Sequence, residues 1–229
     1  MKPWEVILRR VCVASGLDSG EWEKIAASIR ERAFFSAEVT STKILEEMKA
    51  NVVQMLKDGK SASEIRRDLR QMLFGEGYRP DEQWEGTIKD LRTKARLDVV
   101  IKTNTDQAKG YARLVRDTRP GAILAFPAYR FVRRQNRKAQ RDWATRWANA
   151  AKAVGFEGVA KNGEMIALKS SPIWARLSRF GTPYLPFDYN SGMGLQDVPK
   201  SKCREIGLLG PNEQPKTPVL PDFNEGLDK

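Results

Sequence analysis

The stretch RLDVVIKTNTDQAKGYARLV, Arg96 to Val115, constrains the fold more than any other part of this chain. Leu97, Val100, Ile101, Ala108, Tyr111, Ala112 and Val115 recur at three- and four-residue steps, so at helical pitch they gather on one face. Such a stripe has to be buried. Asn104 sits in the middle of it, and a buried amide left unpaired costs about 1–3 kcal/mol. The downstream strand and loop are the expected source of backbone partners. With Thr103 and the small Ala108, Asn104 then reads as a packing node where this helix meets the C-terminal half.

The rest of the first half carries the same periodicity. Trp4, Ile7, Leu8 and Val11 suggest a short amphipathic helix, and Glu5, Arg9 and Arg10 interrupt the apolar run that a signal peptide would need. From Gly20 to Lys57, Trp22, Ile25 and Ile29 and then Ile44, Leu45, Met48, Val52 and Leu56 predict helix. Gly59 should stop it as a left-handed cap. Ser61 and Glu64 form a capping-box pattern, opening a helix whose inner face is Ile65, Leu69 and Met72. After a loop, FGEGYRPDEQW, a longer helix is expected from Trp84 through Ile88, Leu91 and Ala95 to the residues before Pro120-Gly121. No strand signal precedes residue 122.

The second half differs in character. Tyr129 to Arg133 alternates apolar residues with arginines, as a half-buried strand would, although Val132, Ala139, Trp143, Trp147 and Ala150 also share one side of a helical wheel. The favoured reading is a short strand, a basic loop, and a helix from Arg141 to Val154 ended by Gly155. Asn162-Gly163 suggests a hairpin turn, and the aromatic, proline- and glycine-rich chain from Ser171 onward should be ordered loop. Pro211, Pro215, Pro218 and Pro221 exclude helix and leave an extended or a disordered tail. The expected class is α+β: a mostly helical N-terminal half, then a smaller part with short antiparallel strands, long loops and an extended tail. The expected divisions are 1–83, 84–206 and 207–229.

Composition narrows the chemistry. A chain with no histidine lacks the usual general base, the usual zinc ligand and every Ser-His or Cys-His nucleophile pair. Cys12 and Cys203 match no metal or redox spacing. Glu46-Glu47, Asp81-Glu82 and Glu21-Glu23 fit solvated helix faces and loops, and the acids of the basic half (Asp142, Glu157, Glu164, Asp188, Asp197 and Glu205) are scattered. Phosphate-cradling glycine motifs are missing. No catalytic residue, metal ligand or cofactor is therefore assigned, and no apolar run suits a membrane span.

A net charge of +11 favours an anionic partner. Between Ala128 and Arg146, Arg130, Arg133, Arg134, Arg137, Lys138, Arg141 and Arg146 face one acid, Asp142. The first six of these are the candidate nucleic-acid contacts, against the alternatives of a solvated face or a dock for an acidic protein. Trp143, Trp147 and Trp174 are expected to pack in a core beneath them.

Order and spacing add a resemblance. IKTNTDQAKGYAR, with Thr103, Asn104 and Ala108, resembles the Arg-Thr-Asn helix of the phage Mu protein F-like head morphogenesis proteins, or minor head proteins; Lys102 stands where arginine is commoner. The aromatic, arginine-rich YRFVRRQNRKAQRDW follows, and then PYLPFDYNSGM, where Pro186 and Asn190 are the closest matches. The similarity covers residues 91–209. It implies a non-enzymatic, portal-associated component of the virion head, made in the bacterial host cytoplasm, touching portal or other head proteins and packaged DNA, and oligomeric only within the particle. The family's histidine and paired cysteines are missing here, so no metal role carries over. The competing expectations are a free-standing cytoplasmic nucleic-acid-binding protein and a toxin-like nuclease.

Overall fold

A computed structural model of the chain describes residues 1–25, 33–34, 36, 39–136, 140–155 and 163–220. The fold is mixed α+β. Its described residues divide into two compact units, 1–109 and 110–220, and the division falls inside the long helix.

The first unit begins with α1 (Pro3–Leu8), β1 (Val11–Cys12), α2 (Ser19–Glu23) and β2 (Ala33–Phe34). In α1 the buried pair is Val6 and Ile7, while Leu8 and Val11, expected on the inner face, are exposed. β1 and β2 pair in parallel, Val11 with Ala33 and Cys12 with Phe34. Strands this short have no periodicity to read in advance. The helix expected from Gly20 to Lys57 is interrupted by β2 and resumes as α3 (Thr42–Asp58), with the Ser41 side chain capping the Ile44 amide; Ile29 lies outside the described residues.

Gly59, at φ 74°, ends α3 in the left-handed conformation that glycine adopts without steric cost. Ser61 and Glu64 then cap each other's backbone at the start of α4 (Ala62–Gly75). Ile44, Leu45, Met48 and Val52 of α3 and Ile65, Leu69 and Leu73 of α4 are buried, and α1 packs on α3. Leu73 takes the inner position expected of Met72.

The long helix, α5 (Lys94–Asp117), starts ten residues later than its expected start at Trp84. Before it, Asp90 accepts from the backbone of Gly86 and Arg92 and from the Arg92 guanidinium, folding residues 86–93 into turns; Ile88 is exposed. Pro120 does more than break the helix. It occupies the first turn of α6 (Pro120–Ala125), where its missing N–H is not needed.

In the second unit, β3 (Ala128–Arg133) is the centre of an antiparallel sheet ordered β4 (Ile166–Leu168), β3, β5 (Met193–Val198). Arg130 pairs with Ile166 on one side and Gln196 on the other. For the hairpin expected about Asn162-Gly163, residues 156–162 lie outside the described residues. Its second arm is β4, which pairs with β3. β5, α8 (Ile173–Leu177) and α9 (Lys200–Glu205) occupy chain expected to be loop. The strand Met-Gly-Leu-Gln-Asp-Val has weak alternation of its own, and its pairing with β3 defines it.

Alternation along β3 gives the sheet two different faces. On one, Phe131 meets Trp143 and Trp147 of α7 (Trp143–Ala153) and Phe187, with Trp174 against Tyr129, Trp147 and Phe187. Edge-to-face and offset pairs of this kind add to the area they bury. On the other, Ala128, Ile166, Val198, Cys203 and Leu209 form a small aliphatic core. From residue 206 to 220 the chain has no helix or strand. No helix among the described residues is long and apolar enough to cross a membrane.

Candidate nucleic-acid interface

The arginine segment is built on the edge of the aromatic core. Strand β3 delivers Arg130 and Arg133, the chain turns at Arg134, and Asp142 caps α7 by accepting from the backbone and hydroxyl of Thr145 at 3.0 and 2.6 Å. Hydrogen bonding from Thr145 holds the Asp142 carboxyl below its usual range. Arg137 and Lys138 lie outside the described residues.

The other arginines separate into committed and available groups. Arg130 forms an ion pair with Glu164 at 2.9 Å. Arg141 and Arg146 converge on Asp188, at 3.4 and 2.9 Å, and Arg179 approaches the same carboxylate at 3.9 Å. Asp188 is buried and also accepts from the Tyr189 amide at 2.8 Å. A carboxylate in an aromatic core needs such partners, because its desolvation is offset only by close, hydrogen-bonded cations. Arg146 in addition lies over the Trp143 ring, 4.8 Å from its centroid.

Arg133 and Arg134 have no carboxylate partner among the described residues and are exposed. The Arg134 amide donates to the Gly192 carbonyl at 2.9 Å, and its guanidinium reaches Leu195 O at 3.4 Å. Arg141 donates to Tyr189 O at 2.8 Å and Asn190 O at 3.5 Å. One loop, 188–192, therefore seats Arg134, Arg141 and Arg146 together. Asn190 is exposed there with φ 48°, while Pro186 is buried. The sequence pattern links this loop with the arginine segment but assigns no role to Asp188. A lone acid among Tyr184, Phe187 and Tyr189 is the signal that could have found it.

A second charged cluster has no signature in the sequence. Lys169 is buried, 2.9 Å from Asp197 Oδ1 and 3.2 Å from Asp117 O, with its ammonium 4.6 Å from the centre of the Tyr129 ring. Asp117 accepts from Arg113 and Arg116 at 2.9 Å each and from the Tyr129 hydroxyl at 3.0 Å. Arg113 also reaches Asp197 at 3.3 Å. Burial raises the Asp117 carboxyl, but these donors more than reverse that and hold it below the ordinary value. Burial and the neighbouring Asp117 push the Tyr129 phenol well above its usual range. Asp117 is hydrogen-bonded and Asp197 ion-paired by cations of the chain, an arrangement suited to tying the end of α5 to β3, β5 and the residue that follows β4.

The resemblance motif lies in the first unit. Asn104 is buried, and its Nδ2 donates 2.9 Å to Val100 O, one turn back in its own helix. The expected partner from the downstream strand and loop is thus replaced by a local bond. Ala108 is fully buried and Thr103 is half-buried. Trp143 and Trp147 are both buried, so their rings are covered by the protein and not offered to bases. Among the described residues no three His, Cys, Asp or Glu side chains converge as metal ligands would. Cys203 is buried, and burial pushes its thiol up to about 11.

No family model matches this chain, no curated protein matches it, and no solved structure matches its fold.

Proposed function

We propose that the second unit contacts nucleic-acid phosphates through its arginine face, without catalysing a reaction. The observation that supports this is the exposed pair Arg133 and Arg134, without carboxylate partners among the described residues, with Arg134 bonded to the 188–192 loop that also seats Arg141. Asp188 supports one negative charge under three arginines, so this part of the surface keeps an excess of positive charge. Guanidinium forks match phosphate oxygens, and each phosphate neutralised releases counterions.

The finer proposal is a minor head protein of a phage, associated with the portal and touching packaged DNA. It rests on the ordered motifs around Asn104, the arginine segment and Pro186–Asn190. The first unit would serve as the protein-binding part.

The test is a salt titration of DNA affinity. Replacing Arg133, Arg134, Arg137 and Lys138 together by Ala should flatten the dependence of log K on log salt by about 0.9 for each phosphate no longer engaged. An unchanged slope overturns the DNA contact. Copurification with a portal ring tests the finer reading, because a free-standing nucleic-acid-binding protein would bind DNA without one. Magnesium-dependent cutting that disappears on carboxylate replacement would instead identify a nuclease.

A further inference from the structure

Folding adds a cation to the arginine face from a separate stretch of chain. Helix α8 brings Arg176 to an open hollow of about 400 Å³ that Asp142, Thr145, Arg146, Asn149 and Ala150 also line. Arg176 is exposed and has no ion-pair partner among the described residues. Arg146 is fixed from two sides, by Asp188 at 2.9 Å and by the Trp143 ring beneath it, and a guanidinium has further N–H donors to offer. Asn149 adds an exposed amide. The single acid of the hollow, Asp142, has both oxygens engaged by Thr145.

We infer that this hollow binds a phosphate group of a nucleic-acid strand, with Arg146 as the fixed fork, Arg176 as the opposing charge and Asn149 as a neutral donor. The inference rests on the reading of the arginine face as a nucleic-acid surface and names one phosphate seat on it. Continuity favours this ligand: Arg146 shares Asp188 with Arg141, and Arg141 shares the 188–192 loop with Arg134. A strand lying on Arg133 and Arg134 would have a path of cations leading to Arg176. Charge-assisted bonds from two guanidinium groups also suit a tetrahedral oxyanion better than a planar, neutral ligand.

The test uses the full chain, a six-nucleotide oligothymidylate, and inorganic phosphate at matched ionic strength. The Arg176 Nε–H and Asn149 side-chain amide resonances should shift saturably with the oligonucleotide. R176Q should reduce the salt slope of its binding by about 0.7, the value for one phosphate on a single strand. K216A, which removes the same charge from the C-terminal tail, should leave the slope unchanged. Binding that shifts only Arg133 and Arg134, with R176Q equal to wild type, overturns the hollow and leaves the arginine-face reading intact. Saturable phosphate shifts at Arg176 without oligonucleotide binding would keep the phosphate seat and overturn the nucleic-acid reading. No response to either probe overturns both.

Discussion

Asn104 and Gly110, six residues apart on α5, show how differently a helix position can be constrained. The Asn104 amide donates to Val100 O, a carbonyl that the helix already engages through its own i to i−4 bond. Replacing Asn104 by Leu therefore orphans nothing that the helix cannot satisfy. N104L should lie within about 1 kcal/mol of wild type in urea unfolding; loss of soluble protein would instead reveal a required network. Asn51 repeats the arrangement on α3, donating 2.9 Å to Glu47 O. Gly110 has no such freedom. A Cβ there would stand 1.9 Å from Leu185 O and 2.8 Å from its carbonyl carbon, so backbone would have to move. G110A should lower stability by roughly 3 kcal/mol despite alanine's better helix propensity, and chemical denaturation would measure it. A glycine inside a strongly periodic helix is a visible hint of close packing, but nothing in the sequence names Leu185.

At the scale of elements, buried charge joins helix to sheet in the second unit. Asp117 has a carboxyl held below its ordinary value of 3.8. A lowered native pKa means that the unfolded chain binds the proton more readily, so the contribution is complete above about pH 5 and is lost as pH falls below 3.8 toward the native value. D117N should cost roughly 3 kcal/mol at neutral pH, the low end for breaking a buried pair, since Arg113 keeps some contact with water. The gap in melting temperature between D117N and wild type should narrow as pH falls below 3.8. A constant gap would show that the charge is irrelevant. Asp188 is a second buried carboxylate, ion-paired with Arg141, Arg146 and Arg179. D188A should destabilise the second unit by roughly 3 kcal/mol, with near-ultraviolet circular dichroism reporting the loosened Trp143.

For the whole molecule, the net charge of +11 sets the character of any encounter with nucleic acid. Its long-range field is blind to base sequence, and the candidate contacts are guanidinium groups suited to phosphate. Two 20-base-pair duplexes of equal length and unrelated sequence should bind within about threefold at the same salt. A preference above about tenfold would require readout of base edges or of DNA shape beyond phosphate contact, and the buried Trp143 and Trp147 do not offer stacking to bases.

Features whose physics is local were already legible in the amino-acid sequence. The stop at Gly59, the Ser61–Glu64 cap, the end of α5 near Pro120 and the strand at Tyr129–Arg133 follow from backbone freedom, side-chain reach and period. The tryptophans' place in the core follows from their apolar area. Everything else waited on the folded chain. The two-residue strands β1 and β2 and the weakly patterned β5 are defined by pairing partners. Asp188 and Lys169 look like ordinary surface charges until folding removes them from water and supplies counter-charges from distant segments. Arg176 is 30 residues from Arg146 in the chain and lines the same hollow. Local propensity acts over a few residues, whereas burial and ion pairing depend on which segments the fold brings together.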